Sequence, residues 1–161
     1  SQKEFILTDG ACIPNPTIEQ RIQMLNHAIK LKRRMDDNVF CNISMISAGG
    51  STNPKADQEI YNIWNAINKK NKNLKVRLEQ LDVALNADIR KNKHIHGKPA
   101  DIIMVKNINE GNAIWKSLTA LNNNWLVGGI LMGADIPIVL NSREDSMMSI
   151  ACSIIICACC F

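Results

Sequence analysis

WLVGGILMGADIPIVLNSREDSMMS, running from Trp125 to Ser149, is the stretch on which the fold turns. Its spacing predicts a strand over Leu126 to Met132, a Gly-Ala-Asp turn and a second short strand over Ile136 to Leu140. Asn141-Ser142-Arg143 then opens a helix. An apolar run that stops at Ser-Arg, with two acids in the following turn, is how an α/β protein ends a buried strand and begins a helix. Ser142 and Arg143 are therefore expected at the carboxyl end of a strand beside a helix N-terminus. Free backbone N–H groups, the positive end of the dipole and a guanidinium converge there on any anion, with phosphate the obvious guest. The same residues allow a plainer reading, in which Ser142 only caps the helix and Arg143 pairs with Glu144 or Asp145.

Outward from this stretch, strands and helices alternate. Glu4 to Thr8 reads as a strand ending at Asp9-Gly10, and Thr17-x-x-Gln20 is a capping-box pattern. Ile18, Ile22, Leu25 and Ile29 then step at helical intervals toward Arg34. Asn42 to Ser47 predicts a strand running into Ala48-Gly49-Gly50-Ser51-Thr52, after which Asn53 caps a helix with Pro54 in its first position. Ile60, Ile63, Trp64 and Ile67 give that helix its buried face. Leu74 to Leu78 is a weaker strand, Leu81 to Ile89 a short helix, and Arg90 to Pro99 a polar loop. Ala100 to Val105 makes a further strand, and Asn109 caps a helix whose inner face is Ile114, Leu118 and Leu121. The alternation implies one α/β domain over residues 1–161, with a mostly parallel sheet and helices on both faces in three αβα layers. Ligands of such sheets sit outside the carboxyl ends of the strands. Five loops are expected at that edge: Asp9-Gly10, Ser47 to Asn53, Glu79 to Asp82, Lys106 to Asn112 and Asn141 to Asp145.

Composition narrows the function. A chain of 161 residues can bury about 70% of the surface its unfolded form exposes. Net charge is only +4, and aromatic residues make up 4%, which leaves little for bases to stack on; nucleic-acid binding is not expected. The apolar tail from Ile150 to Phe161 is too short to span a bilayer, and no signal peptide is read at the start, so a cytoplasmic, membrane-free protein is expected. Cys12 and Cys41 stand alone, and Cys152, Cys157, Cys159 and Cys160 crowd an apolar helix pattern. Free thiols suit this better than bridges. Cys157 and Cys160 form a CxxC with no second pair or nearby histidine, so no metal site is expected. His94 and His96 read as surface residues of the polar loop.

Other candidates lie on the loops. The Gly49-Gly50 loop after Ser47 matches neither the P-loop nor the dinucleotide pattern. Its glycines either bring backbone N–H groups close to a ligand or serve a tight turn. Gly111 and Asn112 fall in the first turn of a helix, where Gly costs up to about 1 kcal/mol against Ala. Close approach by a ligand or by the neighbouring strand is the expected reason. Asn112 can hydrogen-bond a substrate, and Lys116 faces either solvent or the cleft.

Taken together, DIIMVKNINEGNAIWKSL and GGILMGADIPIVLNSREDS closely resemble the carboxyl half of the phosphate acetyltransferase and phosphate butyryltransferase family. The order of parts agrees: a strand ending in Thr8-Asp9, Asn53-Pro54-Lys55 after a strand ending in Ser47, and a segment like LDVALNADI. The Glu110-Gly111-Asn112 helix start and the Ser142 to Ser146 ending look closer to the butyryl branch. The resemblance implies the isocitrate/isopropylmalate dehydrogenase-like fold and exchange of an acyl group between coenzyme A and inorganic phosphate in a ternary complex. Coenzyme A is then a substrate rather than a bound cofactor, and a homodimer is implied. Ser142 matches the serine that stabilises the transition state, and Arg143 the arginine that holds anionic substrate. Gly111 and Asn112 match a Gly-Asn lining the same cleft, while Gly133 and Pro137 match positions of the strand turn. Ser47, Gly111, Asn112, Gly133 and Asp145 are the candidate substrate- or phosphate-binding residues. Acetyl-branch relatives carry an aspartate, proposed as base for the thiol, where Ser149 stands here. Asp145 is a substitute in principle, although an acid in a first helical turn also simply suits the dipole. The alternative is a non-catalytic module of the same fold that binds a phosphorylated or coenzyme A metabolite or mediates oligomerisation.

Overall fold

Four short strands carry the core of residues 1–112: β1 (Ile6–Thr8), β2 (Ile43–Ile46), β3 (Val76–Glu79) and β4 (Ile102–Met104). They pair in parallel in the order β1-β4-β2-β3, with Ile43 opposite both Val76 and Ile102. The computed structural model describes residues 4–36, 41–86, 99–121, 125–136 and 138–160. The pleat sorts the side chains. Ile43, Met45, Val76, Leu78, Ile102 and Met104 pack into one cluster with Leu25 and Ala28 of helix α1 (Ile18–Met35) and Ile60 and Ile67 of helix α2 (Gln58–Lys70). Ile46 and Ile103 pack into a second cluster with Ala100 and with Ala84 of the short helix α3 (Leu81–Leu85). The sheet is thus flanked by helices on both faces, as the alternation predicts. Each fully buried side chain of the size of Leu25 or Ile102 contributes about 1.5–3 kcal/mol.

Local chemistry sets the ends of the elements. Thr17 and Gln20 form the expected reciprocal capping box at α1. Asn53-Pro54 behaves differently from expectation: it opens a single 3-10 turn (Pro54–Ala56) with no side-chain cap. Asp57 caps α2 instead, accepting from the Ile60 N–H at 3.1 Å. The cap of helix α4 (Ile108–Leu121) is Asn107 rather than Asn109. Its Oδ1 accepts from the Glu110 N–H at 3.1 Å while Glu110 accepts from the Lys106 N–H at 2.6 Å. Helix α2 is keyed to β3 by the Trp64 indole N–H, which donates to the Val76 carbonyl at 2.8 Å.

A second compact unit covers residues 113–161, and the boundary falls within α4. Here the sequence expectation is corrected. The two strands, β5 (Ile130–Leu131) and β6 (Ile138–Val139), are shorter than expected and pair antiparallel in a sheet of their own. An apolar run signals burial but not strand direction, and Gly133, at φ +99°, lets the chain turn between them. Leu126 and Ile136, expected inside strands, are exposed. The loop Asn141 to Asp145 therefore follows a hairpin strand and not a strand of the parallel sheet; the other four loops follow parallel strands. The terminal helix α5 (Met147–Cys160) also starts later than expected, capped by Ser146, whose Oγ accepts from the Ser149 N–H at 3.1 Å. Gly128 and Gly129 fit tightly: a Cβ on Gly129 would lie 2.0 Å from the Leu140 carbonyl oxygen. Pro137, most of the polar loop including His94 and His96, and the predicted end of α3 at Ile89 lie outside the described residues.

Candidate functional site

The turn after β6 is held by one carboxylate. Asp145 Oδ2 accepts from the Ser142 N–H at 2.7 Å and from the Asn141 side-chain amide at 3.0 Å, and the Asp145 N–H donates back to the Ser142 carbonyl at 3.1 Å. The Asn141 amide also donates to Ser153 Oγ at 3.1 Å, which in turn accepts from the Gly129 N–H at 2.9 Å and donates to the Ser149 carbonyl. Ser153 is fully buried, so one hydroxyl ties β5, the turn and α5 together. Two expectations change as a result. Ser142 does not sit at a helix N-terminus, because α5 starts at Met147. Its N–H is not spare, because Asp145 holds it. Nor does the plainer reading hold: Ser142 is not the cap, and Glu144 pairs with Lys116 at 3.3 Å rather than with Arg143. Among the described residues, neither Ser142 Oγ nor the exposed Arg143 guanidinium has a hydrogen-bond or ion-pair partner. The turn thus carries a hydroxyl and a guanidinium on consecutive residues, neither taken up by the described protein groups.

A cleft of about 510 Å³ opens within the same unit, with Trp115, Lys116, Trp125 and Val127 in its wall. Asp145, Ser146 and Ser149 also line it, whereas Ser142 and Arg143 do not. Lys116 is one of its lining residues, with its ammonium 5.5 Å from the Trp115 ring centre. The sequence reading gave Trp125 and Thr119 no role in a site. The signal available was the scarcity of aromatics, which makes two tryptophans close together in sequence notable.

In the first unit, Ser47 lies at the end of β2, where its side chain is 1% exposed and, among the described residues, its Oγ has no hydrogen-bond partner. The glycine loop beside it is a tight turn: a Cβ on Gly49 would stand 2.0 Å from the Asn53 carbonyl oxygen, and Gly50 adopts φ +53°. Gly111 is buried against the Asp9-Gly10 turn, where a Cβ would meet Gly10 Cα at 2.7 Å and the Asp9 oxygen at 2.8 Å. Of the two reasons weighed for this glycine, close approach of neighbouring backbone accounts for it. Asn112 follows it, half-buried.

Two polar sets at this sheet were missed in the sequence. Arg21 lies on the stripe of Leu25 and Ala28, buried, and its guanidinium donates to the Val105 carbonyl at 3.2 Å and the Lys106 carbonyl at 2.5 Å. Burial lowers its pKa from the usual arginine value, against the pull of Glu59 and Glu110. Ser44 Oγ donates to the buried Glu79 carboxylate at 2.5 Å, with Arg77 Nε 3.6 Å from the same carboxylate. Charged residues at core spacing were the available signal in both cases. Lys106 pairs with Glu59 at 2.6 Å, and that hydrogen bond raises its pKa above the usual lysine value. Among the described residues there is no cluster of three or more His, Cys, Asp or Glu able to hold a metal, and no helix long and apolar enough to cross a membrane.

Comparison with known proteins agrees with this picture. The family model described as phosphate acetyl/butaryl transferase matches residues 1–158. The phosphate butyryltransferase of Clostridium acetobutylicum is 29% identical over 150 residues, covering 88% of this chain and 49% of that protein. The phosphate acetyltransferase of Thermotoga maritima is 26% identical over 152 residues, covering 89% and 51%. A branched-chain phosphotransacylase from Enterococcus faecalis V583 shares the fold, with TM-score 0.76 at 24% identity, covering 97% of this chain and 58% of that one. The chain spans about half the length of the curated relatives it matches. With the parallel sheet, the flanking helices and the Ser142-Arg143 turn in place, the chain belongs to the phosphate acetyl/butaryl transferase family.

Proposed function

We propose that the chain carries the phosphate side of an acyltransferase site that exchanges an acyl group between coenzyme A and inorganic phosphate. The observation that carries this reading is the Ser142-Arg143 pair: adjacent, fixed by Asp145 from behind, and without protein partners among the described residues. In the direction of phosphorolysis, a phosphate oxygen attacks the thioester carbonyl. The acyl C–S bond breaks, a C–O bond to phosphate forms, and the proton lost by phosphate goes to the departing thiolate. Arg143 holds the phosphate oxygens through its planar fork, and Ser142 Oγ donates to the oxyanion that develops at the carbonyl. Asp145 acts as a positioning residue through the Ser142 N–H. Gly133, in the same unit as the turn, is the further member of the binding set. The finer expectations from the resemblance belong to the same proposal: the isocitrate/isopropylmalate dehydrogenase-like fold, acyl-coenzyme A or acyl phosphate as substrate without a bound cofactor, a homodimer, and a cytoplasmic setting.

The test is a thiol-release assay on the chain with butyryl-coenzyme A and phosphate. Ser142→Ala is expected to lower kcat about 10²–10³-fold, the scale of losing one oxyanion donor. Arg143→Ala is expected to raise the KM for phosphate. Turnover unchanged in both variants overturns the assignment, and binding of either substrate without any turnover favours a binding module instead.

A further inference from the structure

Every hydroxyl, carboxylate and ammonium in the lining of the cleft is engaged within the protein. Lys116 pairs with Glu144 at 3.3 Å, and Asp145 accepts from the Ser142 N–H and the Asn141 amide. Ser146 Oγ accepts from the Ser149 N–H and donates to Ser149 Oγ, both at 3.1 Å, and Thr119 Oγ1 donates to the Trp115 carbonyl at 3.0 Å. What remains for an occupant is apolar: the half-buried rings of Trp115 and Trp125, with Ala120 and Val127. Hydrocarbon gains most on such a surface, and the neutralised ammonium offers little to a phosphate. Position says which hydrocarbon. Asp145 lines the cleft and also holds the Ser142 N–H at 2.7 Å, so the cleft begins one hydrogen bond away from the turn assigned to the acyl carbonyl. Its volume, about 510 Å³, lies in the range of pockets that take whole small molecules, far beyond what an acetyl group fills.

We infer that this cleft holds the hydrocarbon tail of the acyl group, and that Trp115 and Trp125 are specificity-determining residues that admit medium-length chains and disfavour acetyl. The identity of the tail as an acyl chain rests on the acyltransferase reading; the apolar character of the cleft does not.

The test is calorimetry on the whole chain, without phosphate, using coenzyme A and its acetyl, butyryl and hexanoyl thioesters. Affinity is expected to rise about fourfold for each methylene added beyond acetyl, the gain of burying one such group. Trp115→Ala and Trp125→Ala remove a wall, and the gain per methylene is expected to fall below about twofold. Ala120 is exposed, so a larger side chain there fills the cleft without entering the core. Ala120→Phe is expected to reverse the order, with acetyl bound more tightly than hexanoyl, a result that lost folding cannot produce. 1-Hexanol, a neutral probe of the cleft, is expected to compete with hexanoyl-coenzyme A but not with coenzyme A. Hexanoyl bound no better than acetyl by the native chain, an order unchanged in Ala120→Phe, or 1-hexanol displacing coenzyme A itself would overturn the inference. Failure of the acyltransferase reading shows differently: affinity still climbs with chain length, but no acyl phosphate forms when phosphate is added.

Discussion

The turn that carries Ser142 and Arg143 is held by a third residue, Asp145. The hydrogen bond from the Ser142 N–H to Asp145 Oδ2 is charge-assisted, and removing its acceptor leaves a half-buried donor and the Asn141 amide short of a partner. Asp145→Ala is expected to cost about 1–3 kcal/mol in chemical denaturation and to lower turnover. Asp145→Asn, which keeps an acceptor oxygen, is expected to recover part of both; equal loss in the two variants would argue against positioning. Gly111 offers the opposite case. Alanine is the better helix former by up to about 1 kcal/mol, but its Cβ would lie 2.7 Å from Gly10 Cα and 2.8 Å from the Asp9 oxygen, both backbone. Gly111→Ala is expected to destabilise by about 1–3 kcal/mol, the cost of overpacking, read as a drop in the denaturant midpoint. The sequence signalled that this glycine was costly for a helix. What approached it was a long-range contact, which helix propensity does not carry.

Between elements, single hydroxyls and ion pairs do the joining. Ser153 connects the start of β5, the turn and α5, and Ser153→Ala leaves the Gly129 N–H and the Asn141 amide without that acceptor. A loss of about 1–3 kcal/mol is expected, with the Thr and Ala variants compared by thermal melting. In the first unit, Lys106 and Glu59 link the segment after β4 to α2. The Lys106 pKa is raised, first by its hydrogen bond to Glu59, so the pair contributes stability that is fully present below the usual lysine value. That contribution is lost as pH rises through the raised folded value. Both partners are partly exposed, which screens the pair to about 0–1 kcal/mol. The stability difference between native chain and Glu59→Gln is expected to be present at neutral pH and to vanish in strong alkali; a difference independent of pH contradicts the pairing. Capping was legible where side chain and backbone answer each other, as at Thr17-Gln20. It was misplaced at Asn53 and Asn109, where a second acceptor within a few residues, Asp57 or Asn107, makes the bond instead.

At the scale of the whole molecule, the four-stranded parallel sheet was readable because β-branched and apolar runs alternate with helical spacing from Ile6 to Met104. The stretch from Trp125 to Leu140 was misread because an apolar run does not distinguish two parallel core strands from a hairpin of two-residue strands. The family was legible through its motifs. The wiring of the Ser142-Arg143 turn was not, since Asp145 and Ser153 act through bonds that only the folded turn brings together. The cleft needed the structure as well, for Trp115 and Trp125 stand on opposite sides of residues 122–124 in sequence and become neighbours only as lining. The most direct measurement is phosphorus NMR of the chain incubated with butyryl-coenzyme A and phosphate. An acyl phosphate resonance growing in step with free thiol, and falling at least 100-fold in rate in Ser142→Ala, is the expected result. Acyl phosphate formed as fast by Ser142→Ala and Arg143→Ala as by the native chain, or none formed at all, would contradict it.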